Sequence, residues 1–130
     1  DIWHGFITDL EVRRLSKAGH WRNVDAIVQE SDGSITAVEM EHSFKQLPTR
    51  KNILLQYLQD LNNGHYQKVM LFSQKVEVLN DMKRINANII EFLLATKSAE
   101  RITEQHAAKL QQALVYRTKY CEEIRQRFYG

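Results

Sequence analysis

The chain has 130 residues, 43% apolar and 26% charged, which is the length and balance of one globular domain and excludes wholesale disorder. Its formal charge of +2 neither demands nor excludes a nucleic-acid partner, because phosphate binding depends on local clustering. The single cysteine, Cys121, excludes an internal disulfide and a cysteine-built zinc site. No apolar run approaches the roughly 20 residues of a bilayer span and no signal-peptide pattern is visible. The expectation is therefore a cytoplasmic protein with no membrane partner. The start at Asp1, without methionine, leaves open that the chain is a fragment.

Residues 5–17 mix the four-residue spacing of Phe6, Leu10 and Arg14 with the alternation of Leu10, Val12 and Arg14, and are read as a helix. Residues 24–29 and 35–41 are rich in β-branched side chains and flank Ser31-Asp32-Gly33-Ser34, so they are predicted to form a hairpin. Leu47-Pro48-Thr49 puts proline where a first helical turn tolerates it, and Ile53, Leu54, Tyr57, Leu58 and Leu61 continue at helical spacing to Asn62-Asn63-Gly64. Residues 68–72 read as a strand covered on both faces. Ser73 is the expected N-cap of a helix through about residue 85, and residues 88–95 are expected to be a second buried strand. Residues 98–128 are expected to be helical, with Leu110, Leu114, Cys121, Ile124 and Phe128 as a sparse apolar stripe.

The fold class that follows is α/β. A small mixed sheet is expected, an antiparallel hairpin plus parallel strands joined by a crossover helix, with flanking helices. Residues 1–97 form the expected core and residues 98–130 a C-terminal helix packed on that core or on a partner.

Three carboxylates stand out. Glu39 and Glu41 are two apart in a strand and share a face. A two- or four-residue loop would turn Asp25 away from them. A three-residue loop of Ser31, Asp32 and Gly33, with glycine at the position of positive φ, would set Asp25 across from Glu39. Carboxylates so placed repel unless a cation lies between them, and a hard Mg²⁺ or Mn²⁺ ion needs only one or two carboxylates plus a carbonyl and waters. The ordinary alternative is a solvated strand face.

Asp25, a turn, Glu39-Met40-Glu41, Lys45 and a following helix together resemble the PD-(D/E)XK nuclease superfamily, of restriction-endonuclease-like fold. More loosely, the surrounding pattern is similar to the replication-relaxation and relaxosome-associated proteins of mobile DNA elements. The resemblance implies divalent-metal-dependent phosphodiester hydrolysis on DNA, with Asp25, Glu39 and Glu41 as metal ligands. The family's motif lysine should stand where this chain has Glu41. The positive charge would then come from Lys45 or Lys51, with Arg50 a third candidate.

Elsewhere, His42 faces away from the two glutamates by strand alternation, Gln56 could reach the site edge, and Tyr57 belongs to the apolar stripe. Arg50 and Lys51, with Arg117 and Lys119 of the basic-aromatic stretch around Tyr116, are the candidate phosphate-backbone contacts. Two other readings stand beside the nuclease. One is a DNA-binding or relaxosome accessory module that keeps the scaffold without cleavage. The other is a protein-interaction domain using the C-terminal helix, as a homodimer or with a partner domain.

Overall fold

The computed structural model describes residues 24–41 and 45–118, together with the backbone of residues 5–7. In chain order these form β1 (Gly5–Ile7), β2 (Ala26–Gln29), β3 (Ile35–Met40), α1 (Leu47–Asn62), β4 (Lys68–Phe72), α2 (Val76–Ala95), α3 (Glu104–Ala113) and β5 (Leu114–Arg117). The hairpin turn behaves as its residues dictate. Gly33 N–H donates to Glu30 O at 3.0 Å and Glu30 N–H to Ser34 O at 2.7 Å, leaving Ser31, Asp32 and Gly33 as the loop. Gly33 has φ +89°, a conformation only glycine adopts freely. Asp32 accepts from both the N–H and the hydroxyl of Ser34, at 2.9 and 2.6 Å.

Strand order in the sheet is the order in the chain, with β1, β2 and β3 antiparallel and β3, β4 and β5 parallel. Parallel neighbours require crossovers. α1 supplies the first, and it ends where Gly64 takes φ +76°. α2 and α3 together make the second. β4 lies inside the sheet, and Val69, Met70, Leu71 and Phe72 are all buried, as expected for a strand with both faces covered. The main core lies between one sheet face and the three helices: Ile27, Ala37, Val69 and Leu71 meet Leu54, Tyr57, Ile90, Leu93 and Leu110. A smaller cluster of Ala26, Val28, Val38, Met70 and Phe72 occupies the other face. No described helix is long and apolar enough to cross a membrane.

Four expectations change. Gly5–Ile7 is a strand, because the free edge of β2 satisfies its backbone in the register Gly5↔Gln29 to Ile7↔Ile27; residues 8–23 lie outside the described residues. Residues 88–95 are not a strand but the last two turns of α2, which runs for 20 residues. Its buried positions Val78, Leu79, Met82, Asn86, Ile89, Ile90 and Leu93 follow the helical period. α2 begins after Lys75 rather than Ser73, whose hydroxyl instead accepts from Lys75 N–H at 3.1 Å. The expected helix over 98–128 is interrupted. Thr103 caps α3 by accepting from His106 N–H, and after ten residues the chain turns into β5, where pairing with β4 satisfies the backbone.

Candidate functional site

Glu39 and Glu41 stand at the carboxyl end of β3, only 6% and 2% exposed. Strand alternation puts Glu39 on the helix-covered face with Ala37, which belongs to the main core. Glu41 extends the parallel pairing by one step, its N–H donating to Phe72 O at 2.7 Å. Taking a carboxylate out of water is costly unless cations and hydrogen bonds replace the lost solvation. For Glu41 they do: Lys45 Nζ donates to Oε2, and Arg50 Nη1 lies 3.4 Å from Oε1. The two cations differ. The Lys45 side chain is 32% exposed, whereas that of Arg50 is 4% exposed. α1 places Arg50, in a first turn that contains Pro48 and closes through Arg50 N–H to Gln46 O at 3.0 Å.

Asp25 is exposed and approaches Glu39 along the backbone. Its N–H donates to Val38 O at 3.1 Å and its Oδ2 accepts from Met40 N–H at 2.7 Å, so it brackets Glu39 from the neighbouring strand. Ala26 is also registered with Val38. Two residues therefore face one, the irregularity of a bulge, which re-aims a side chain. Accordingly Val24 packs in the cluster of Ile27, not with Ala26 and Val28. The three-residue loop thus carries Asp25 to the peptide beside Glu39, but the three carboxylates do not meet as a cage. Among the described residues no three Asp, Glu, His or Cys side chains form a group able to hold a metal ion.

A polar tract continues under the helices. Tyr116 of β5 is registered with Leu71 of β4, and Leu71 with Glu39. Asn86 Nδ2 donates to the Tyr116 hydroxyl at 3.0 Å. Burial pushes the Tyr116 phenol above its ordinary value, while the Asn86 hydrogen bond and the Arg50 charge pull it down. Arg50 therefore acts on both Glu41 and Tyr116. Asn86 is 1% exposed, and its Oδ1 has no hydrogen-bond partner among the described residues. Asn86 is not among the residues the sequence picks out, although a polar side chain on an otherwise apolar helical stripe is a visible signal. In the sequence Tyr116 stands out only as part of a basic stretch.

The remaining candidates go elsewhere. Lys51 pairs with Glu100 at 2.8 Å rather than with Glu41. Arg117 is half-buried and donates to Tyr116 O at 2.9 Å. Gln56 is exposed on α1, and Tyr57 is fully buried in the core. Lys119, Cys121 and His42 lie outside the described residues. No family model matches the chain, and neither curated proteins nor solved structures give a match.

Proposed function

We propose that the chain is a DNA-processing domain of a mobile genetic element, nuclease-like in design, that hydrolyses phosphodiester bonds with a divalent metal. One observation carries this reading. Glu39 and Glu41 are buried at the carboxyl end of a parallel pair, Lys45 and Arg50 clasp Glu41, and the Asp25 carboxylate sits on the next peptide. Crevices at the carboxyl ends of parallel strands are where open α/β sheets bind ligands. The strand succession, an antiparallel meander and then a parallel strand reached through a helix, is in keeping with the family resemblance.

The donor chemistry suits Mg²⁺ or Mn²⁺ in a reduced form. Asp25 and Glu39 would supply the one or two carboxylates a hard ion needs, while Glu41 is committed to two cations. Bound there, such an ion would acidify a water molecule and neutralise phosphate charge. The protein's own groups do the rest. Met40 N–H orients the Asp25 carboxylate. Buried Arg50 stays beside Glu41, so Lys45 at the rim can exchange its carboxylate partner for a phosphate oxygen.

A second reading, binding without cleavage, is favoured by the double neutralisation of Glu41. Both are tested by incubating supercoiled plasmid with the protein and Mn²⁺ or Mg²⁺, alongside mobility shifts across salt concentration. Metal-dependent nicking that disappears in Glu39→Ala and Lys45→Ala is the expected result. Salt-steep binding with no nicking selects the accessory module. Nicking that survives in Glu39→Ala, or folded protein that neither binds nor cuts, overturns the proposal.

A further inference from the structure

Between the first half of α1 and the second half of α2 lies a cavity of about 440 Å³. That is within the roughly 300–1,000 Å³ typical of small-molecule sites. Ile85 and Ile89 line it, and Leu47 and Phe92 stand beside the opening, 59% and 55% exposed. Large side chains so exposed at one opening are unusual for a surface that stays bare. Among the described residues the charged groups in the lining are both cations, Lys51 and Arg84. Their carboxylate partners, Glu100 and Asp81, do not line the cavity. Both pairs are partly solvent-exposed and weak, so an incoming anion can compete for either cation. The first turn of α1 adds positive potential, because it carries no acidic residue and Gln46 makes no side-chain cap.

We propose that this cavity binds a small amphipathic anion, its apolar body against Ile85, Ile89 and Phe92 and its acidic head toward Lys51 and Arg84. The site involves neither Glu39 nor Glu41, so it stands apart from the proposed hydrolytic function. The full chain is titrated with 1-anilinonaphthalene-8-sulfonate, followed by fluorescence, and the bound dye is then competed with decanoate, decanol or decyltrimethylammonium. Saturation at one dye per chain is expected, with decanoate displacing it at least tenfold more effectively than the alcohol or the cation. Phe92→Glu and Arg84→Glu, both at exposed positions that leave the core intact, should each weaken binding at least tenfold, whereas Lys68→Glu, remote from the cavity, should not. Equal competition by all three decyl compounds, or unchanged dye binding in Phe92→Glu and Arg84→Glu, overturns the proposal. So does a concentration-dependent dimer that Phe92→Glu dissolves and decanoate does not, since a second copy would then fill the cavity.

Discussion

The two ends of the β2–β3 hairpin each hold a carboxylate, and they handle it in opposite ways. At the turn, Asp32 lies in water and accepts from the N–H and hydroxyl of Ser34. At the far end, Glu41 is 2% exposed, and its lost solvation is replaced by Lys45 and by Arg50 from α1. The first arrangement shapes a loop, and beyond it Asp32 feels only the minor charge of Lys68. The second ties the sheet to the helix that crosses over it. A negative charge is local when water can hold it and long-ranged when only another element can.

The largest expected effect tests that contrast directly. Arg50→Ala leaves a buried carboxylate short of its buried cation and should cost about 3–5 kcal/mol in denaturant unfolding. Lys45→Ala, at the rim, should cost about 1 kcal/mol or less. Equal losses would erase the distinction between buried and rim cation. Next in size is Gly33→Ala, which forces a Cβ into positive φ and should cost about 1–2 kcal/mol, with no change at the Glu41 end. The smallest effect concerns pH. Hydrogen bonds from Ser34 hold the Asp32 carboxyl below its ordinary value. Its stabilising contribution is therefore present above the unfolded-state pKa and lost as pH falls through the folded one. Subtracting the acid unfolding profile of Asp32→Asn from that of the parent should give a small difference that closes below about pH 4. A difference that grows toward acid would reverse the sign.

The hairpin and α1 were legible because their signals are local. Asp32-Gly33 specifies the turn, and Pro48 and Gly64 punctuate the helix. Residues 88–95 misled because Ile89-Ile90 and Phe92-Leu93-Leu94 form an apolar run, and such a run alone cannot separate a buried helix from a buried strand. The helix expected through about residue 85 in fact keeps its period from Val78 and Met82 on through Ile89 and Leu93. β5 was hidden for the opposite reason. Leu114 continues the spacing of Leu110, and only β4, more than 40 residues earlier, makes a strand of it. At the site, the turn length carried Asp25 to β3, but the burial of Glu39 and Glu41 depends on α1 covering that face. The sequence offers Arg50 as one of three cations for the site, and its burial makes it the enclosed partner of Glu41 beside the rim cation Lys45.

Because the described strands run β1, β2, β3, β4, β5 in space as in sequence, none of them is inserted between two already paired. A chain emerging from the ribosome can therefore add each strand to the growing rim as it appears, without opening earlier pairs. Until the segment near Leu114 is made, the rim of β4 stays unpaired and apolar, a surface on which nascent copies can stick together. A nascent chain halted between Phe72 and Leu114 is thus the species on which a chaperone would act most usefully.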